Sequence, residues 1–245
     1  YRMRMEEEGL SVAEAGDAVI RDNLFGLEID PRCTQIAAFN LALTAWKAGG
    51  YRELPLPNIA CSGIPVQGQL EDWVKLAGDD EALQRTMERL YHLFRNAPDL
   101  GSLINPAHIP VEDRMFVGDY DRVSFMMQSA LSRESRHDPT AMLFGKTFTA
   151  LTRAAQLLAD HYSLVTTNVP FLLRRKQTEV LASFCERRHP RAKRDLATSF
   201  LERCLSFCGS GGEVAVVTPL HWLFLRSYEE LRRSTLKTTA FELVG

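Results

Sequence analysis

Apolar positions along the chain keep a helical period in some blocks and run together in short clusters in others. Leu10, Val12, Ala15, Val19 and Ile20 follow the helical period, with Ser11 set to cap the helix and Glu14 three residues on as its reciprocal partner. Glu8-Gly9 reads as the end of an earlier helix. Leu24-Phe-Gly-Leu-Glu-Ile29 is a short strand. Asp30-Pro31 then opens a helix that runs to about Ala48, with Asp30 as N-cap and the proline at the first helical position. Its predicted core face is Ile36, Ala37, Leu41, Thr44 and Ala45, and Gly49-Gly50 ends it. Asn58-Ile-Ala-Cys-Ser-Gly63 is a further strand, preceded by the stiff Leu54-Pro-Leu-Pro57.

The middle of the chain is expected to be helical. Leu70–Ala77, Glu81–Asn96 and Val123–Leu131 read as helices, the second carrying Leu83, Met87, Leu90, Tyr91 and Phe94 on one face. Pro98, Gly101, Pro106 and Pro110 break the chain between helices. Phe125-Met126-Met127 reads as core, and His137-Asp138-Pro139 as a turn or helix start. Near the end, Leu164-Val-Thr-Thr167 predicts a buried strand, because β-branched residues suit a pleated, covered surface. Asp195 caps a helix from Leu196 to Phe207, its core face Leu196, Phe200, Leu201, Cys204 and Leu205. Gly209-Ser-Gly-Gly212 predicts a tight turn into Glu213–Pro219, a buried strand of the parallel type. Apolar His221–Leu225, a basic amphipathic helix from Tyr228 to Leu236, and a strand beginning at Phe241 complete the pattern.

Strand and helix alternation predicts an α/β protein. Three segments follow: 1–66, a mainly helical insertion at 67–156, and 157–245. Hydrophobic residues are 45% and charged residues 24% of the 245, which supports a packed core. Five cysteines, odd in number and without a C-x-x-C pair, read as reduced thiols rather than a disulfide framework. No apolar run spans a membrane and no signal-like start is present, so a cytoplasmic location is expected. The chain opens on Tyr1 within an apparent helix and is expected to be a fragment of a longer polypeptide.

Charge changes this picture only locally. The net charge is −2 with a pI near 6.4, which by itself points to no polyanionic partner. Between Arg174 and Arg194, however, eight bases (Arg174, Arg175, Lys176, Arg187, Arg188, Arg191, Lys193 and Arg194) face only Glu179 and Glu186, a local charge of +6. Such a segment is either a solvated helical face or a phosphate-tracking surface.

Candidate chemistry sits where strands end. Leu164–Thr167 runs into Asn168-Val169-Pro170-Phe171. Pro170 cannot donate to a sheet ladder and pushes Val169 into an extended conformation. An amide, a fixed carbonyl and an aromatic ring then lie side by side at the end of a strand, where ligands of open α/β sheets bind. Asn and a ring suit a flat heterocycle; the alternative is an Asn that caps a turn and a Phe in the core. At the other strand end, Glu28 could accept bonds from ribose hydroxyls and Ile29 could flank an adenine, while Asp30 is the helix cap.

Asn-Val-Pro-Phe after a hydrophobic strand resembles the Asn-Pro-Pro-Tyr/Phe motif of the amino-group (adenine-N6) DNA methyltransferases. Asn23-Leu-Phe-Gly-Leu-Glu-Ile-Asp-Pro-Arg32 upstream is similar to the same family in its large restriction-modification branch. So are Asp195-Leu-Ala-Thr-Ser-Phe-Leu-Glu-Arg203 and Gly211–Pro219 downstream; the likeness covers residues 11–50 and 155–245. It implies a Rossmann-like S-adenosylmethionine-dependent fold that methylates adenine N6 in double-stranded DNA, with the target base flipped out, in a restriction-modification or phage-defence system. Asn168, Val169, Pro170 and Phe171 become the catalytic motif. Glu28 and Ile29 would hold the cofactor, with Ser62 where the family often has an Asp, and no metal is required. Three departures stand out. Val169 replaces a proline, no glycine-rich loop precedes Leu24, and no target-recognition domain follows Gly245. Weak cofactor binding by this chain is therefore expected, with partner domains on the same polypeptide. Rival expectations are a non-catalytic DNA-binding remnant, and methylation of protein glutamine or RNA by the same motif.

Overall fold

The computed structural model describes residues 1–75, 77–106 and 139–242, an α/β protein that divides into two compact units, residues 1–159 and 160–245.

In the first unit, helix α1 (Arg2–Glu8) stops at Gly9, whose φ of 68° is a conformation open to glycine. Helix α2 (Val12–Asp22) starts with the expected reciprocal cap: Ser11 Oγ accepts from Glu14 N, and Glu14 Oε2 accepts from Ser11 N at 3.0 Å. Strand β1 (Phe25–Glu28), helix α3 (Pro31–Gly49) and strand β2 (Asn58–Cys61) follow. The strands pair in parallel, from Phe25 beside Asn58 to Glu28 beside Cys61. Helices α2 and α3 are clamped by Arg52, which donates to Asp17 Oδ1 at 2.6 Å and to the carbonyls of Ala13 and Ala45.

The predicted face of α3 is only partly right. Ala45 is buried and Ala37 and Leu41 are half-buried, but Ile36 stands 60% exposed and Thr44 is also outward.

Helices α4 (Leu70–Lys75), α5 (Glu81–Phe94) and α6 (Ala97–Leu100) come next. Leu83, Met87, Leu90 and Phe94 of α5 are buried as their spacing predicts. Val123–Leu131, the Phe125-Met126-Met127 run and His137-Asp138 lie outside the described residues. Helix α7 (Pro139–Ala159) is longer than anything the pattern gave there. It packs on both β1 and β2 and buries Phe148, Leu151, Ala155 and Leu158. Arg153 reaches from α7 to Asn58 Oδ1, and Asn58 Nδ2 donates to Arg21 O at 2.6 Å, so α7, β2 and α2 share one buried amide.

In the second unit, strand β3 (Tyr162–Asn168) pairs in parallel with β4 (Cys208–Val217), from Leu164 beside Glu213 to Asn168 beside Val217. The expected turn at Gly209–Gly212 is an excursion inside β4. Tyr162 pairs with Cys208 but Leu164 already pairs with Glu213, so one residue of β3 spans four of β4. Gly211, at φ 77°, makes the detour possible.

Helix α8 (Glu179–Arg188) is capped by Thr178, and α9 (Leu196–Phe207) by Asp195. Short α10 (His221–Phe224) leads to α11 (Glu229–Thr238). Ala192, Leu201, Trp222, Tyr228 and Leu231 form the core, against which Val216 of β4 packs. Among the described residues that covers one sheet face. Leu164 is 57% and Val217 61% exposed, so the expectation of fully buried strands is corrected: alternate side chains face solvent. Residues 239–242 carry no regular structure, and the rest of the strand expected from Phe241 lies outside the described residues.

Two candidate strand-end sites

At the carboxyl end of β1, Glu28 Oε1 accepts from Ile29 N at 2.8 Å and from Asp30 N at 3.3 Å. Its carboxylate is thereby folded onto its own backbone. Among the described residues no donor reaches Oε2, which stays open as an acceptor. Ile29, 44% exposed, is wedged between two glycines. A Cβ on Gly63 would lie 2.3 Å from Ile29 O, and one on Gly101 would lie 2.9 Å from Ile29 Cδ1. Gly63 lets the Ile29 backbone come so close, and Gly101 leaves room for its side chain.

Ser62 is fully buried. Its Oγ donates to Glu28 O at 3.2 Å and lies 3.1 Å from Ser102 Oγ, so it steadies the strand end from behind. Asp30 is the N-cap of α3, accepting from Arg32 N at 2.8 Å, and the Arg32 guanidinium holds its carboxyl down at about 2. In the sequence Gly101 reads only as a break between helices and Ser102 carries no signal of its own; the part both play here comes from the fold.

At the end of β3 the geometry differs. Asn168 is exposed, and among the described residues its carboxamide has no hydrogen-bond partner. Val169 is only 2% exposed, whereas Phe171 is 58% exposed with no aromatic neighbour among the described residues. The alternative in which Phe171 fills the core is therefore excluded. Val169 is the anchor, its side chain held in the interior.

The chain beyond Phe171 is stapled down. Leu172 O accepts from Leu196 N at 2.9 Å and from Gln177 Nε2 at 3.1 Å, and Arg174 N donates to Arg194 O at 3.0 Å. Gln177 was not singled out in the sequence, yet it holds the loop while its buried Oε1 has no partner among the described residues. Asp195, 2% exposed, caps α9 and lies 3.9 Å from His221 Nε2.

The basic run is not one surface. Glu186 takes up two of its members, Arg174 and Lys193, each at 3.0 Å, and these cations hold the Glu186 carboxyl below its ordinary range. Arg191 donates to Ser234 Oγ at 2.8 Å. Arg175, Lys176, Arg187, Arg188 and Arg194 remain exposed without an ion-pair partner among the described residues. All five cysteines are free, and burial raises the Cys185 thiol and pushes Cys204 up to about 11, so neither is an activated nucleophile. No helix of the described residues is long and apolar enough to cross a membrane, and no cluster of three metal-ligating side chains occurs among them.

Two strand ends of an α/β protein thus carry the candidate groups, one the half-buried Glu28 carboxylate and the other the exposed Asn168 amide and the open Phe171 ring. The family model described as Eco57I restriction-modification methylase matches residues 22–244, and the chain belongs to that family. It is 26% identical over 98% of its length to an adenine-specific methyltransferase PglX of Lacticaseibacillus casei (strain Zhang). It is 25% identical over 96% of its length to an adenine-specific methyltransferase BrxX of Escherichia coli O9:H4 (strain HS). The chain spans about a fifth of each of these relatives (20% and 21%).

Proposed function

We propose that the chain is part of an S-adenosylmethionine-dependent methyltransferase that modifies adenine N6 in double-stranded DNA, within a restriction-modification or phage-defence system. The observation that carries this reading is the state of the β3 end. An Asn amide without a partner among the described residues and an exposed aromatic ring flank a buried Val169 anchor, in a chain of a methylase family.

In this reading the fold is of the Rossmann-like methyltransferase type, each parallel pair being two of its strands. Glu28 Oε2 would accept from the ribose hydroxyls of the cofactor, and Ile29 would flank its adenine, with Ser62 positioning both. When bound, the cofactor supplies a methyl carbon already activated by its cationic sulfur. This chain's residues do the rest. The Asn168 side-chain oxygen and the Val169 carbonyl accept the two N6 hydrogens of an extrahelical adenine. Those bonds draw the nitrogen lone pair out of ring conjugation and aim it. Phe171 stacks on the base, worth roughly 1–3 kcal/mol. Partner domains on the same polypeptide would complete cofactor binding and read the DNA sequence.

The test is tritiated methyl incorporation into duplex DNA by a polypeptide that includes residues 1–245, with the product nucleoside identified by mass spectrometry. N6-methyladenine that disappears in Asn168→Ala supports the proposal. Methylated glutamine or RNA with unmodified DNA would replace it.

A further inference from the structure

A cleft of about 490 Å³ opens in the second unit, between the turn that joins α8 to α9 and the start of α11. Five bases line it: Arg191, Lys193 and Arg194 on one wall, Arg226 and Arg233 on the other. Two carboxylates, Glu229 and Glu230, oppose them. The second wall belongs to no part of the basic run; the fold brings it there. A polar, cationic lining of this kind suits an anion rather than an apolar ligand. Helix α11, ten residues long, begins at the cleft with no side-chain cap on its first turn, so its dipole adds to the positive potential there.

The cleft is tied to the β3 end through the backbone. Arg194, on its lip, accepts from Arg174 N, and Leu196 N donates to Leu172 O, so the strap leaving Phe171 is fastened to the cleft wall. We propose that this cleft holds a backbone phosphodiester of the DNA strand that carries the target base, an assignment that rests on the DNA reading above. A base leaves the stack by rotation about its backbone, so the flanking phosphate must be held while the base turns. The cleft fixes that phosphate next to the residues that receive the base. In the present state Arg233 is paired with Glu229 at 3.0 Å, and a phosphate takes over that guanidinium when it enters.

The experiment is fluorescence anisotropy with a labelled DNA duplex, titrated with the 245-residue chain across a range of salt concentrations. Each phosphate contact contributes about −0.9 to the slope of log K against log salt. Arg226→Gln with Arg233→Gln is expected to flatten the slope by about 1, while the charge-preserving Arg226→Lys with Arg233→Lys keeps it, which separates charge loss from misfolding. Glu229→Gln has the opposite sign: with Arg233 released, the duplex binds several-fold tighter. An unchanged slope in the double Gln variant, with wild-type binding intact, overturns the cleft and leaves the DNA reading standing. No salt-dependent binding by the wild-type chain overturns the DNA reading itself. Displacement of the duplex by inorganic phosphate at constant ionic strength would reassign the cleft to a small phosphate ligand.

Discussion

The two parallel strand pairs are built alike and finished differently. The β1–β2 pair is covered by α3 and α7, and its end is already bonded: Glu28 Oε1 to two backbone amides, Ser62 to a carbonyl and a second hydroxyl. The β3–β4 pair is covered on one face, and its end leaves Asn168 unbonded and Phe171 open among the described residues. A site that only binds can satisfy most of its own polar groups beforehand. A site that must hold a group in the transition state keeps its acceptors unspent until the substrate arrives.

Breaking the unspent end should cost most. Asn168→Ala removes the acceptor proposed to orient the amine. Methyl incorporation is expected to fall by about 10²–10³-fold, the loss usual for one orienting hydrogen-bond partner, while duplex binding by anisotropy stays within error. A proportional loss of DNA binding would make Asn168 a binding residue instead.

Phe171 comes next. Phe171→Ala should cost roughly 1–3 kcal/mol of base affinity, about 5- to 150-fold in incorporation, and Phe171→Tyr or Phe171→Trp should retain most of it. Equal activity in all three variants would leave the exposed ring without a role.

The pre-bonded end should respond structurally first. Gly63→Ala places a methyl 2.3 Å from Ile29 O, so Ile29 must move. A loss of about 1–3 kcal/mol in urea unfolding is expected, together with weaker cofactor binding by calorimetry. An Ala variant with wild-type stability would show that the Ile29 wedge is soft.

The smallest effect lies at the anchor. Val169→Ala should lower stability by about 2 kcal/mol, because two buried methyls are lost, and should reduce incorporation only modestly. Val169→Pro restores the commoner motif residue but also gives up that packing, so it is expected to be destabilised rather than neutral.

Much of the local structure was legible because its causes are local. Ser11 with Glu14, Asp30 with Pro31, and Asp195 each cap a helix through a bond made within three residues, and all three helices start where those residues place them. What covers a strand is not local. Leu164–Thr167 has the composition of a buried strand, but among the described residues Leu164 and Thr166 are left exposed. Helix α7 escaped notice because Thr140, Thr147, Thr149 and Thr152 dilute its helical character, although Phe148, Leu151, Ala155 and Leu158 keep the period. The glycine run 209–212 was read by composition as a turn; parallel pairing on both sides absorbed it into β4 as a detour. At the sites, Asn168, Phe171 and Glu28 were visible as residue types at strand ends. Gly101, Ser102, Arg226 and Arg233 were not, since each acts on a partner far along the chain or across a cleft. Gln177 acts on Leu172 O five residues back, but a lone glutamine in a loop gives no local signal of that bond.

The burial of Val169 has a consequence for how such a motif changes over time. Its side chain fastens the strap, while Asn168 before it and Phe171 two residues after it are both exposed. Mutations at those two positions can therefore sample new target chemistries without first unravelling the scaffold. The motif is divided into one inherited peg and two exchangeable tips, and a lineage that keeps the peg keeps the freedom to experiment.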